Sequence, residues 1–215
     1  RKGRSWYTYW LSVHAGEALA GGPIEVNSYA CGRVIRLDMT LNGRPRTYIY
    51  VYAPSQRNER LPFFRHFQEC MPRDRDVIMM GDYNVRLSKQ DHSRAAAPNG
   101  GSTEWQLIRD ANATQDVWRV QNPGKPVWSF YGNGETAART RIDWLEATAW
   151  SADEITHIEY YRAAPMCGDH STVYAVQRLR EKQVNPMPPM KPAFVNAGGF
   201  INQVRRLVTS LTPAF

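Results

Sequence analysis

Val77-Ile78-Met79-Met80-Gly81-Asp82-Tyr83-Asn84 is an apolar run that ends abruptly, then presents an Asp and, two residues on, an Asn. Side chains alternate faces along an extended chain, so the run reads as a buried strand that aims Asp82 and Asn84 the same way, at one ligand. An Asp-x-Asn after a strand can equally be an Asx-turn, whose carboxylate only caps nearby backbone. The remainder of the chain bears on which it is.

Three further stretches place polar residues at strand ends. Thr47-Tyr48-Ile49-Tyr50-Val51-Tyr52 stops at Ala53-Pro54, where proline closes a strand and leaves Tyr52 at its C-terminal edge. Arg139-Thr140-Arg141-Ile142-Asp143-Trp144-Leu145 carries a carboxylate inside an otherwise strand-like segment, an expensive placement unless something pairs with it. Pro165-Met166-Cys167-Gly168-Asp169-His170-Ser171 delivers Asp and His on a turn just before the strand Thr172 to Val176.

In this order, Tyr-Ala-Pro, Gly-Asp-Tyr-Asn, Arg-Ile-Asp-Trp and Gly-Asp-His resemble the motifs of the endonuclease/exonuclease/phosphatase family over about Arg33 to Arg178. Within it the chain looks most like the apurinic-type endonuclease domain of LINE-type retrotransposons, with Asp116-Val117-Trp118-Arg119, Asn122-Pro123 and Trp128-Ser129-Phe130 as supporting segments. The resemblance implies an α/β (α+β) fold of two mixed sheets packed face to face with helices outside, a four-layer sandwich. It implies a metal-dependent phosphodiesterase, most naturally a DNA endonuclease using Mg²⁺, with Mn²⁺ as substitute. Hard oxygen ligands that hold a mostly hydrated Mg²⁺ suit that chemistry. The catalytic residues implied are Tyr52 on the phosphate, Asp82 and Asn84 on the water and transition state, and Asp143 orienting His170. Asp82, Asn84 and Asp169 are the implied metal ligands. Arg57, Arg139, Arg141 and Trp128 are the residues expected to touch nucleic acid.

One departure stands against these matches. The family's initial Asn strand and the Glu that is its principal metal ligand have no counterpart here; Glu17 and Glu25 are the only acids before Arg33, and neither follows a buried-type strand. The expectation is therefore a domain lacking its N-terminal strands, a weak catalyst by itself. Two other readings stay open: a phospholipid or inositol-phosphate phosphodiesterase of the same fold, and a non-catalytic remnant that binds nucleic acid.

Charge and composition agree with a polyanionic partner. Lys and Arg number 27 against 20 Asp and Glu, a net +7 with a pI near 9.5, which argues mildly against the lipid or inositol-phosphate reading, and no apolar run reaches the roughly 18 residues a membrane span requires. Cys31, Cys70 and Cys167 are odd in number and scattered, the pattern of free thiols in an intracellular, nuclear or cytoplasmic, compartment. A hairpin is expected at Asn42-Gly43, a sheet-covering helix carrying Leu61, Phe63, Phe64, Phe67 and Met71, and a helix capped by Thr103 with Gln106 and running to Asn112. Residues 1–180 form the expected domain, 181–198 a proline-rich linker, and 199–215 an amphipathic helix that could open a further domain. A reverse-transcriptase domain in the same full-length polypeptide is the partner the resemblance suggests.

Overall fold

A computed structural model describes residues 24–132, 137–162 and 168–179. The expected linker, the helix at 199–215, the aromatic N-terminal segment, Glu17 and Cys167 lie outside the described residues. The chain runs β1 (Glu25–Tyr29), β2 (Val34–Leu41), β3 (Arg44–Tyr52), α1 (Arg57–Phe67), β4 (Asp76–Asp82), α2 (Ser102–Ala111), β5 (Thr114–Asp116) and α3 (Val117–Gln121). It continues through β6 (Phe130–Tyr131), β7 (Arg139–Thr140), β8 (Asp143–Thr148), α4 (Ala149–Glu154), β9 (Ile155–Tyr161) and β10 (Thr172–Gln177).

Six strands form one mixed sheet in the order β1-β2-β3-β4-β8-β5. The β2–β3 hairpin closes through Asn42 and Gly43 at φ 49° and 70°, the positive pair that a two-residue turn between twisted strands requires. β3 and β4 are parallel, and α1 makes the crossover between them. The remaining pairings in this sheet are antiparallel.

Alternation along the strands buries both faces. On one, Ile49, Val51, Val77, Met79 and Trp144 pack against Phe63, Phe64 and Phe67 of α1 and Trp105 and Ile108 of α2. On the other, Tyr48, Ile78, Leu145 and Ala147 meet Val117, Ala152 and, from β9, Ile155 and Ile158. β9 pairs with β10 and β6 with β7, so the expected mixed α/β architecture holds, with two further two-stranded sheets among the described residues. No described helix is long and apolar enough to cross a membrane.

Helix α2 corrects one expectation. Its N-cap is Gly101 at φ 100°, and Thr103 lies inside the first turn. A Cβ at Gly101 would crowd Phe64 and Arg60, so backbone conformation and close packing set this boundary rather than a hydroxyl cap.

Candidate active site

Strand register assembles the site. Tyr52 of β3 lies opposite Asp82 of β4, and Asp82 lies opposite Asp143 of β8. Residues directly opposite share a face, so three segments remote in sequence set a phenol and two carboxylates in one row at the ends of three central strands. The glycine before Asp82 is a steric requirement: Gly81 has φ +139°, and a Cβ there would fall 2.0 Å from the carbonyl oxygen of Val51. The neighbouring strand leaves room only for hydrogen.

Past Asp82 the chain turns, with Asn84 in the left-handed region at φ 53°. Its backbone N–H donates to Asp82 Oδ1 (2.8 Å) and its Nδ2 donates to Oδ2 (3.0 Å) and to the Ala53 carbonyl (2.8 Å). The Asx-turn and the site are thus one object: the turn conformation, not strand alternation, brings Asn84 back to Asp82. Asn99 supports it from the following loop, donating from Nδ2 to the Asn84 carbonyl (2.9 Å) and accepting from Arg86 N–H (2.7 Å).

His170 stands on the turn leading into β10, and its Nδ1 lies 2.8 Å from Asp143 Oδ2. That bond fixes the tautomer and leaves Nε2 as the ring's second polar atom. Buried Ser129 holds the strand start from behind, its Oγ accepting the backbone N–H groups of Ile142 and Asp143, each at 2.9 Å. The Asp143 carbonyl accepts from Tyr160 Oη at 2.8 Å.

Titration follows from this crowding. Burial and then the charge of Asp143 push Asp82 up to about 7, against the opposing pull of His170 and Asn84. Burial also raises Asp143, opposed by its hydrogen bond with His170. Burial works against a charged His170, but the bond and charge of Asp143, then Asp82 and Asp169, carry it up to about 9. The pair therefore keeps a proton between Nδ1 and Oδ2 at neutral pH.

Asp82, Asp143 and His170 each offer one ligand atom, all within 4.8 Å of one another. Two mutually repelling buried carboxylates with hard oxygens make a donor set that suits a divalent cation. Of the expected ligands, Asp82 belongs to this group. Asp169, half-buried, adds its charge to Asp143 and His170 but lies outside that group, while Asn84, whose Nδ2 donates to Asp82 and Ala53, keeps its Oδ1 to offer as an oxygen ligand beside Asp82. Glu25, the one described acid before Arg33, is on edge strand β1 opposite Asp38, away from the Tyr52 end of the sheet.

The residues expected at nucleic acid divide. Arg57 and Arg139 are exposed, and Arg57 lies across Gly100, while Trp128 is half-buried beside the Ser129 anchor. Arg141 is corrected. Only 1% exposed, it donates from Nε to Asp91 (3.1 Å), from Nη1 to Asp116 (3.0 Å) and again from Nη2 to Asp116, and its guanidinium lies 3.8 Å from the centre of the Trp144 ring. An arginine so enclosed holds the loop before β8 to the loop of Asp91 and is not offered to a ligand. Arg60, also buried, clamps the Tyr-Ala-Pro loop through the carbonyls of Pro54, Ser55 and Gly100. Sequence reading missed Ser129 and Asn99 as supports. Ser129 lies within a quoted segment, but nothing local to either residue announces its partner.

No family model matches the chain. It is 30% identical over 113 residues, half its length, to the uncharacterized 149 kDa protein of transposon TX1 from Xenopus laevis, and spans 8% of that protein. Among solved structures it is similar to the Neisseria 3′ phosphatase NExo bound to a product DNA hairpin (TM-score 0.61, 16% identity, 74% of this chain and 72% of that one). An AP endonuclease from Archaeoglobus fulgidus gives 0.59 and 17% over the same shares of each chain. The endonuclease domain of TRAS1, a telomere-specific non-LTR retrotransposon, gives 0.53 and 14% over 73% of this chain and 70% of that one. The fold implied by the four motifs is the fold found.

Proposed function

From a chain that folds as AP endonucleases and a retrotransposon endonuclease domain do, we propose a divalent-metal-dependent phosphodiester hydrolase, the DNA endonuclease domain of a retrotransposon-type polyprotein. The observation that carries this reading is the row Tyr52, Asp82, Asp143 with His170 bonded to Asp143. A water attacks phosphorus and the bond to the leaving sugar oxygen breaks. Asp82, buried at the strand end and facing the row, is placed to take the water's proton. Asn84 keeps that carboxylate aimed. His170, proton-bearing through its bond to Asp143, donates to a non-bridging phosphate oxygen, with Tyr52 beside it. The leaving oxygen takes its proton from solvent. Mg²⁺, or Mn²⁺ in its place, would be held by Asp82 and Asp143 and would supply charge neutralisation at the phosphate.

Nicking of supercoiled plasmid with Mg²⁺, Mn²⁺ or EDTA tests the reading. Cleavage that needs the metal and disappears in His170→Ala supports it. Weak nicking is expected, since among the described residues the group within 4.8 Å holds two carboxylates and no Glu. Faster hydrolysis of sphingomyelin or inositol phosphates than of DNA would transfer the assignment to those substrates.

A further inference from the structure

Tyr131 next to the site would be read from sequence as a residue for stacking on a base. Its ring is already occupied. The guanidinium carbon of Arg162, the residue after β9, lies 3.7 Å from the ring centre, and that of Arg139 lies 5.6 Å from it. Both arginines are exposed, and among the described residues neither guanidinium has an acid partner. Two cations gathered around one ring repel each other, and ring attraction at an exposed position offsets this only partly. An anion beside the ring would be attracted by both cations and offset that repulsion.

The position of this cluster relative to the site is set by short contacts. Tyr131 N–H donates to the Asp169 carbonyl at 2.8 Å. Phe130, the preceding residue, bridges to His170, and their rings meet edge to face at 5.1 Å between centroids. The Tyr131 cluster therefore sits one residue along from the imidazole, on a strand tied to the His170 turn. We propose that Tyr131 is a platform for Arg162, which with Arg139 forms a subsite for a DNA backbone phosphate flanking the one that is cleaved. Tyr131 acts there as a positioning residue and does not stack on a base. This rests on the DNA reading of the site.

Binding of a short duplex by the full chain, without metal and over a series of salt concentrations, tests it. Arg162→Ala should weaken binding several-fold at low salt and reduce the slope of log affinity against log salt by about one. Tyr131→Leu should bring a similar affinity loss, the double variant no more than the worse single one, and Tyr131→Phe, which keeps the ring, should bind as the parent does. An unchanged slope in Arg162→Ala, or a further loss from Tyr131→Leu in the Arg162→Ala background, would overturn the proposal while leaving the DNA assignment standing. Absence of salt-dependent DNA binding by the parent chain would overturn both.

Discussion

Arg141 and Asp143 stand two residues apart, both buried, and their surroundings are opposite in kind. Around Arg141 the charges balance: two arginines, 141 and 119, meet two carboxylates, Asp91 and Asp116. Around Asp143 they do not. Asp143 and Asp82 share a single imidazole, Asp169 adds a third negative charge nearby, and Asp82 and His170 rise to about 7 and about 9. A balanced buried network resists change, because removing any member strands another. An unbalanced one keeps its protons near the solution's pH and can trade them or take up a cation. One short stretch of chain thus holds a fastener and a reaction centre.

The largest expected effect breaks the unbalanced side. In a form of the protein that nicks DNA, Asp143→Ala and His170→Ala should each slow cleavage by on the order of 10²-fold or more, and the double variant little beyond the worse single one. Thermal melting of His170→Ala should fall modestly, since Asp143 loses its partner but can take up a proton, and the rates are compared at a temperature where both proteins stay folded. Multiplicative losses would mean that the two residues do separate work. Breaking the balanced side should reverse the pattern. Arg141→Ala leaves Asp91 and Asp116 buried with too little positive charge, a loss of roughly 3–5 kcal/mol measured by urea unfolding. An Arg141→Ala variant that is stable but defective in DNA binding would return this residue to the substrate.

The two sides also differ in how far sequence could reveal them. Tyr52, Asp82, Asp143 and His170 were legible because each sits at a strand end within one of four motifs that follow in the order the resemblance requires, where any one motif alone is ambiguous. The hairpin at Asn42-Gly43 and the sheet-covering helix were legible through local turn chemistry and helical periodicity, although the helix ends at Phe67 and Met71, expected on it, is extended beyond a 3₁₀ turn. Arg141 was misread because an arginine beside site residues carries the same local signal whether it faces solvent or two acids brought in from Asp91 and Asp116. Pairings across 50 and 25 residues leave no local mark. For the same reason Glu146 passed unnoticed, though it is wholly buried on β8 three residues after Asp143.

Glu146 sharpens the comparison as an intermediate case. Arg109 Nε lies 2.9 Å from its Oε1, but neither carboxylate oxygen has a well-aligned donor. Burial outweighs the attraction of Arg109 and carries Glu146 from 4.5 up to about 8. Because the folded-state value is the higher one, folding binds a proton. The associated stability is complete below about 4.5 and is lost as pH rises toward about 8. Glu146→Gln should therefore stabilise the protein relative to the parent at pH 8, by on the order of a few kcal/mol, and the difference should shrink toward pH 5. The check is urea unfolding of both proteins across that range. A difference that does not vary with pH would mean that Arg109 keeps Glu146 ionised, placing it with the balanced networks.

The smallest effect probes the seam between support and chemistry. Asn99 uses its amide in two directions, accepting from Arg86 N–H and donating to the carbonyl of Asn84. Only the second bond touches the site, where Asn84 keeps a positive φ that most side chains avoid. Asn99→Ala removes both bonds and should lower stability by on the order of 1 kcal/mol. Asn99→Asp restores the acceptor for Arg86 but has no donor for Asn84. If Asn99 merely pins its loop, Asp should recover both stability and nicking rate. If it positions Asn84, Asp should recover most of the stability and leave the rate depressed a few-fold, because the turn that aims Asp82 loses its outer tether. Equal recovery of both would assign Asn99 to the fastener and shrink the reaction centre to the strand row and its histidine.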